Sequence, residues 1–233
     1  MPMRSQRRVT HYRRSRPGLS SQPAISLYRL AARCQGEETA SGTFETLTRG
    51  YDGEMADTAL LVVDMLNAYR HPDAEFLIPN VAPIVEPLSE LISRARNSDQ
   101  VDLIYVNDNY GDFTADYGDI VKSALEGDRP DLVKPILPEA GCRMMTKVRH
   151  SAFYSTPLGY LLGQLGVHRV ILTGQVTEQC ILYSALDAYV RHFEVVVPTD
   201  VVAHIDDQLC DAALRMIERN MGGTLLTAAE CKF

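Results

Sequence analysis

The sequence predicts an α/β fold of three layers, in which a mostly parallel six-stranded sheet lies between two layers of helices. Three observations lead to this prediction. Short apolar runs of strand length alternate with stretches whose apolar residues recur every three to four positions. No long block contains strands alone, and no apolar span reaches the roughly 18 residues of a membrane helix. Alternating strands and helices favour a parallel sheet with right-handed crossovers, in a Rossmann-like strand order.

The six predicted strands are apolar runs bounded by polar or turn-forming residues, which is typical of strands buried in a parallel sheet. The first strand, residues 58–64, is an apolar run that ends in an acid. No internal repeat relates these segments to one another. The remaining strands are predicted at residues 101–107, 143–148, 169–173, 194–197 and 224–226.

Five predicted helices separate the strands. The first shows clear periodicity, because Ile84, Leu88 and Leu91 recur at three- to four-residue spacing. Gly166 favours the end of a helix at that point, since glycine adopts the left-handed backbone of a C-terminal cap. Thr177 is a good N-cap for the helix that follows the fourth strand. The helices are predicted at residues 83–96, 120–125, 158–165, 178–191 and 206–221.

Charge divides the chain into two unlike parts. The whole chain of 233 residues has a net charge of −7, which argues against a nucleic-acid binder. Residues 1–36 contain eight Arg and no Asp or Glu, whereas residues 37–233 contain 15 basic and 30 acidic residues. We therefore predict a basic, disordered extension and linker over residues 1–57 and one folded domain over residues 58–233. Translated sequence ahead of a start at Met55 is an alternative interpretation of the extension, and a nucleic-acid-binding arm is a weaker one.

The cysteines are odd in number and contain no Cys-x-x-Cys pair. This pattern disfavours a disulfide framework and a structural zinc site, and it predicts a reducing, cytoplasmic location. The five cysteines are Cys34, Cys142, Cys180, Cys210 and Cys231.

Polar residues follow the predicted strands at the edge where a parallel sheet gathers its functional groups. Asp64 ends the first strand, Lys147 lies at the end of the third, and Cys180 follows the fourth. With Thr177 as N-cap, Cys180 is the third residue of its helix, so the helix dipole is expected to lower its pKa. Each residue also has an interpretation without a catalytic role: Cys180 as a buried apolar residue, Asp64 as the cap of a loop and Lys147 as a solvated surface charge. A lysine in a buried strand requires an anionic partner, however, and Asp64 or a thiolate would supply one.

Three stretches resemble the motifs of the isochorismatase-like cysteine hydrolase superfamily. Residues 61–67 resemble its first-strand motif, residues 146–156 its lysine motif and residues 173–180 its nucleophile motif. The resemblance covers about residues 58–227, and the order of the three motifs at the predicted strand ends makes it specific. Later landmarks of the superfamily match at residues 187–188 and 198–200.

The resemblance implies a Cys–Lys–Asp catalytic triad. In this sequence Cys180 is then the nucleophile, Asp64 takes the thiol proton and delivers it to the leaving amine, and Lys147 holds both groups in place. The resemblance also implies a cis peptide between Gln175 and Val176, with an oxyanion hole formed by the backbone N–H groups of Val176 and Cys180. The implied reaction is attack on an amide carbonyl, a thioester intermediate and hydrolysis by water, without a cofactor.

Two differences from the motifs of related enzymes limit the classes of substrate that we expect. Nicotinamidases carry an Asp-x-His after the second strand and a further histidine downstream as a metal site. This chain has Asp-Asn-Tyr at residues 108–110 and no histidine between His71 and His150, so we predict no metal. Isochorismatases proper cleave a vinyl ether and often lack the cysteine, whereas Cys180 favours an amide or a ureide.

Two stretches, residues 105–112 and 174–185, look most like the branch that contains streptothricin hydrolase. That resemblance implies cleavage of the lactam amide of a streptothricin antibiotic, and hence antibiotic resistance. The acidic body of the chain would attract such a cationic substrate. The alternatives are a ureide or carbamoyl amidohydrolase, a vinyl ether hydrolase that uses Asp64 without the thiol, a non-catalytic scaffold and a redox sensor at Cys180.

Six residues beside the triad are predicted by position to bind the substrate, since amides can hydrogen-bond it and aromatic rings can cover it. The predicted partners are a small-molecule substrate and further copies of the chain, as a dimer or larger homo-oligomer, with neither nucleic acid nor membrane. The candidate substrate-binding residues are Asn67, Tyr69, Asn109, Tyr110, Phe153 and Gln175.

Overall fold

The computed structural model describes residues 56–233 and shows a parallel sheet with helices on both of its faces. The predicted extension at residues 1–57 lies almost wholly outside the described residues and stays a prediction. None of the helices in the described part of the chain has the length and apolar character needed to cross a membrane. The predicted α/β fold is confirmed.

The sheet contains seven strands in the order β3-β2-β1-β4-β5-β7, with the short β6 beside β4, and the neighbouring strands run parallel. Strands β2 and β3 therefore lie on one side of β1, and strands β4, β5 and β7 lie on the other side, as in Rossmann-like sheets. The strands are β1 (Thr58–Val63), β2 (Val101–Asp108), β3 (Arg143–Lys147), β4 (Arg169–Gln175), β5 (Glu194–Pro198), β6 (Val202–Ala203) and β7 (Thr224–Leu226).

The prediction of six strands was one short. The additional strand, β6, has only two residues and pairs with Gly174 and Gln175 at the end of β4. Two residues are too few to show an alternating pattern, so the sequence carries no periodic signal for it. By pairing there, β6 extends the sheet beside the end of β4.

Within residues 56–233, seven α-helices accompany the strands, and two of them were not predicted. Helix α1 contains Pro79, which reads as a helix breaker in a sequence, and helix α4 has only four residues. Gly166 has a φ of 67° just after helix α5, which confirms the predicted helix end. The helices are α1 (Ala74–Val81), α2 (Val85–Arg96), α3 (Tyr117–Leu125), α4 (Pro130–Val133), α5 (Leu158–Gln164), α6 (Leu182–Val190) and α7 (Asp207–Met221).

The two faces of the sheet carry separate hydrophobic cores because successive residues of a strand point to opposite faces. On β1, Leu60 and Val62 pack with the buried residues of α1 and α2. Leu61 and Val63 pack on the other face with the buried residues of α5, α6 and α7. This arrangement explains why all six residues of β1 are buried and why that strand reads as a continuous apolar run.

The strand order changes direction at β1, so the carboxyl ends of β1 and β4 form the crevice in which such sheets bind ligands. Val63 and Gly174 are register partners at this point. Gly174 has a φ of 106°, and a Cβ atom added to it would lie 2.1 Å from the Val63 carbonyl oxygen. Only glycine therefore lets the two strands close beside the candidate site.

We expect Gly174→Ala to lower the free energy of unfolding by about 3 kcal/mol, because the new methyl group meets backbone and the residue is held at positive φ. Denaturant unfolding measures this change as a lower midpoint. Gly163→Ala in α5 is the matched control, since no atom lies within 4 Å of its added Cβ. That variant should shift the free energy of unfolding by less than about 1 kcal/mol. Equal midpoints for the two variants would contradict the tight approach at Gly174.

Candidate active site

The structure brings the three residues of the predicted triad together at the carboxyl edge of the sheet. Asp64 directly follows β1, Lys147 is the last residue of β3, and Cys180 lies in the turn after β4. Lys147 Nζ is 2.7 Å from Asp64 Oδ2 and 3.6 Å from Cys180 Sγ. The lysine therefore contacts both the acid and the thiol, and the three groups form one connected cluster.

Lys147 stays charged although its residue is only 1% exposed. Burial lowers its pKa, but the neighbouring Asp64, Cys180 and Asp108 raise it more, so that its pKa lies above the ordinary value. The Nζ atom also donates to the Arg149 carbonyl at 3.1 Å and lies 3.4 Å from Asp108 Oδ2. The ammonium group therefore has two carboxylates and a carbonyl oxygen as partners, which a buried charge requires.

Asp64 is held in a left-handed backbone conformation, with a φ of 54°. Its Oδ1 atom accepts the backbone N–H of Asp108 at 2.7 Å, and its own N–H donates to the Val106 carbonyl at 3.0 Å. Burial raises the pKa of this carboxyl, although Lys147 and the hydrogen bonds act in the opposite direction. A carboxylate with a raised pKa is a better proton acceptor than an exposed one, which suits a general base.

The expected lowering of the Cys180 pKa is wrong. Burial raises the pKa of the thiol, and the negative charge of Asp64 raises it further, while Lys147 and the Val176 backbone N–H offset only part of this. The predicted capping geometry is wrong too, since the Thr177 hydroxyl donates to the Ala203 carbonyl at 2.9 Å and does not cap the helix. Burial and the charge of Asp64 therefore favour the protonated thiol over the thiolate.

Cys180 lies on a π-helical turn, Thr177–Ile181, that precedes α6 in place of the single predicted helix. The peptide between Gln175 and Val176 is cis, as the family resemblance implied. The Val176 N–H faces the Cys180 sulfur closely enough to lower its pKa. This placement suits an oxyanion hole made by the Val176 and Cys180 N–H groups, and that role stays a prediction.

Side-chain amides fasten the loop after β1 to the neighbouring strands. The Asn107 side chain accepts the Leu66 N–H at 2.9 Å and donates to the Leu66 carbonyl at 3.1 Å. Gln175 Nε2 donates to the Asp64 carbonyl at 2.7 Å. Because these bonds hold the Asp64 carbonyl and the backbone of Leu66 that follows it, they help to fix where the carboxylate lies.

Three of the predicted substrate contacts are buried. Tyr69 is 2% exposed and Gln175 1%, and the Tyr69 hydroxyl lies 3.5 Å from Gln175 Oε1, so these side chains contact each other beneath the loop. Phe153 is 4% exposed and packs in the core, near the ring of Phe193 and under the Arg191 guanidinium. Substrate binding by Tyr69, Gln175 and Phe153 stays a prediction.

The other three predicted contacts lie around the loops that follow β1 and β2. Asn67 and Asn109 are buried, and their Oδ1 atoms accept the N–H groups of Tyr69 and Gly111. Tyr110 has an exposed ring, but its hydroxyl is buried and donates to the Leu66 carbonyl at 3.0 Å. Burial raises the pKa of that hydroxyl well above its usual range. Substrate binding by Asn67, Asn109 and Tyr110 stays a prediction.

Two residues of the site were not in the predicted set. Asp108 contacts Lys147 and also accepts the Tyr110 N–H at 2.7 Å through Oδ1. The Nδ1 atom of His150 lies 3.8 Å from Cys180 Sγ. The position of Asp108 at a strand end, and that of His150 inside the lysine motif, are the signals that could have identified them.

Among residues 56–233, no three His, Cys, Asp or Glu side chains are grouped so that they could hold a metal ion. The donors that converge on this site are one carboxylate bound to an ammonium, a second carboxylate and a thiol. The predicted reaction without a metal or cofactor stays a prediction.

Comparison with known proteins gives consistent matches. The family model described as the isochorismatase domain matches residues 58–230. The isochorismatase family protein YaaI of Bacillus subtilis is 34% identical over 172 residues, which cover 74% of this chain and 94% of YaaI. Maleamate amidohydrolase of Pseudomonas putida is 29% identical and covers 70% of this chain and 80% of its own length.

Solved structures match the same region. N-carbamoylsarcosine amidase from Thermoplasma acidophilum superimposes with a TM-score of 0.60 and 27% sequence identity. The match covers 76% of this chain and 99% of that structure. The matched region includes the sheet and the edge at which Asp64, Lys147 and Cys180 meet.

Proposed function

The chain belongs to the isochorismatase family, and from this premise we propose that it is a cysteine amidohydrolase that cleaves a C–N bond of a small-molecule amide. The observation that carries the proposal is the cluster in which Lys147 Nζ contacts both Asp64 Oδ2 and Cys180 Sγ. An acid with a raised pKa beside a buried thiol can take the thiol proton when the sulfur attacks. The names of two relatives, an amidohydrolase and an amidase, support a hydrolase acting on C–N bonds.

The acylation step uses all three side chains. Asp64 accepts the proton of Cys180 as the sulfur bonds to the amide carbonyl carbon, and Lys147 balances the negative charge throughout. The N–H groups of Val176 and Cys180 would stabilise the oxyanion of the tetrahedral intermediate. When the C–N bond breaks, the proton passes from the Asp64 carboxyl to the leaving nitrogen, and a thioester remains on Cys180.

The second half of the reaction restores the enzyme. Water adds to the thioester carbonyl, the C–S bond breaks, the acid product leaves, and the sulfur regains a proton. Because the resting sulfur is a thiol, we expect proton transfer to Asp64 to accompany the attack on substrate. A stable thiolate–lysine pair is not required in the free enzyme.

The substrate class proposed is an amide or a ureide, and within it the lactam amide of a streptothricin-type antibiotic is the specific candidate. The net negative charge of residues 37–233 supports a cationic substrate, since a protein's field raises the local concentration of oppositely charged ligands. The solvent-facing ring of Tyr110, which follows Asn109, lies where it would contact such a molecule.

A substrate panel tests the proposed function. The full-length protein is incubated with a linear amide, a carbamoylated amino acid, a streptothricin and isochorismate. Amine or ammonia release is followed for the first two, the mass gain of one water for the streptothricin lactam, and vinyl ether loss for isochorismate. We expect hydrolysis of an amide or ureide by the wild-type protein and none by Cys180→Ala. Hydrolysis of isochorismate alone, or amide hydrolysis that survives Cys180→Ala, would overturn the proposal.

A further inference from the structure

We propose that His150 is a further catalytic residue, which acts as the general base for the water that hydrolyses the thioester. This inference rests on the proposed cysteine amidohydrolase function and names a base for one step of it, the hydrolysis of the thioester. It is carried by the position of the imidazole at the sulfur, by its exposure, and by the way its loop is fastened to α6.

The imidazole reaches the nucleophile from the open side of the site. His150 Nδ1 lies 3.8 Å from Cys180 Sγ, and His150 is exposed, whereas Cys180 and Lys147 are buried. Lys147 and Asp64 also contact the sulfur. Because His150 is the exposed residue among these three, water that enters from solvent has access to its imidazole.

Contacts with a single stretch of α6 hold the histidine in place. The His150 ring stacks on Tyr183, with the ring centroids 5.5 Å apart and the planes inclined by 29°. The next residue, Ser151, donates from its hydroxyl to Asp187 Oδ2 at 2.5 Å. The Ala152 N–H donates to the Ser184 hydroxyl at 2.9 Å. A base held on a rigid element in this way is preorganised for one position of the water.

A general base must lie within hydrogen-bond reach of the proton it takes, and the 3.8 Å contact places Nδ1 within that reach of a water that attacks a carbon bonded to Sγ. The acyl carbonyl carbon is bonded to Sγ, so a water attacking that carbon lies beside Nδ1. As the water oxygen bonds to carbon, its proton passes to Nδ1. When the C–S bond breaks, the imidazolium returns that proton to the sulfur across the Sγ–Nδ1 contact. The products are the free acid, the Cys180 thiol and neutral His150, so atoms and charges balance.

Asp64 is the competing base for this second proton. One of its oxygens is paired with Lys147 Nζ at 2.7 Å, the other accepts the Asp108 N–H at 2.7 Å, and its side chain is 11% exposed. Within residues 56–233 the ring nitrogens of His150 have one polar contact, with Cys180, and the residue is exposed. Water therefore has freer access to the imidazole than to the carboxylate, and the two bases serve separate halves of the reaction.

The test uses p-nitrophenyl acetate as the probe, since it acylates a reactive thiol and releases coloured p-nitrophenolate. In His150→Gln we expect the initial burst to keep about its wild-type rate and amplitude. The steady-state rate should fall about 100-fold, within the range for loss of a general base, and an acetyl group should accumulate on Cys180 by mass spectrometry. Hydroxylamine, a nucleophile that needs no base, should restore turnover in the variant.

His168→Gln is the matched control, because His168 is also exposed but lies at the start of β4, at the other end of the strand from the site. It should leave both phases unchanged. An unchanged steady-state rate in His150→Gln, or a burst that slows as much as the steady state, would overturn the role in thioester hydrolysis. A wild-type protein that shows no burst and no adduct on Cys180 would overturn the proposed function itself, which separates the two failures.

Discussion

Replacing Asp64 by Asn is expected to abolish amide hydrolysis while making the Cys180 thiol more reactive toward alkylating agents. Turnover should fall about 10⁴-fold because the variant has no group to take the thiol proton and return it to the leaving nitrogen. Reactivity should rise because the charge of Asp64 raises the pKa of Cys180, whereas Lys147 lowers it. Without the carboxylate, burial still opposes the thiolate, but the attraction of Lys147 no longer competes with the charge of Asp64.

Both effects are measurable on the same preparation. Amine release gives turnover, and iodoacetamide labelling of Cys180 at pH 7, mapped by mass spectrometry, gives the thiolate fraction. Labelling should accelerate about tenfold for each unit by which the thiol pKa falls. Asp102→Asn is the matched control, since Asp102 also forms an ion pair on the sheet, with Arg143, but at the start of β2. Labelling that is unchanged or slower in Asp64→Asn would contradict the assigned charge coupling.

Replacing Cys180 by Ser is expected to remove turnover by about 10⁵-fold, which is comparable with the loss of a nucleophile in other acyl-transfer enzymes. A hydroxyl is far less acidic than a thiol, and Asp64 would have to deprotonate it from the same buried position. The fold should persist because the two side chains differ by one atom. Cys142→Ser is the control, as Cys142 lies just before β3 and outside the cluster. Turnover within about tenfold of wild type in Cys180→Ser would exclude a thioester mechanism.

The pH profile of the reaction should show an acid limb, a loss of rate at low pH, that is set by the ionisation of Asp64. Its pKa is raised above the ordinary value of 3.8 by burial, and the carboxylate must be ionised to accept a proton. The rate constant kcat/KM should therefore fall as the pH drops through a value above 3.8, and this limb should vanish from the residual activity of Asp64→Asn. A limb at or below 3.8 would show that the burial of Asp64 does not control the reaction.

The meeting of Asp64, Lys147 and Cys180 could be predicted because it follows from topology. Side chains at the carboxyl ends of adjacent parallel strands share one edge of the sheet, and the order of the motifs along the chain assigned each to its strand. Fold class and strand order were accessible for the same reason. The three side chains already stand at or after strand ends in the sequence, and folding into a parallel sheet brings them to one edge.

The ionisation of Cys180 could not be predicted, because a position near a helix start says nothing of burial. Removal from water and the charge of Asp64 raise the pKa of the thiol by more than Lys147 and the Val176 N–H lower it. Sequence position likewise could not show that Tyr69, Gln175 and Phe153 are packed within the protein. Whether an aromatic or amide side chain near a site faces substrate or core depends on packing that no local pattern records.

The short strand β6 and helix α1 escaped prediction for a local reason. Two residues carry no periodicity, and Pro79 reads as a helix breaker even though the structure accommodates it inside α1. His150 was visible in the lysine motif, but its distance from Cys180 depends on the docking of its loop onto α6.

The central claim is that Cys180 forms a covalent acyl intermediate with the help of Asp64 and Lys147. The most direct test is to quench the full-length protein in acid during turnover of an amide or ureide substrate and to measure its intact mass, followed by peptide mapping. The proposed mechanism predicts one added acyl group per chain, located on Cys180 and absent from Cys180→Ser. Turnover without any acylated protein, or an acyl group on another residue, would contradict it.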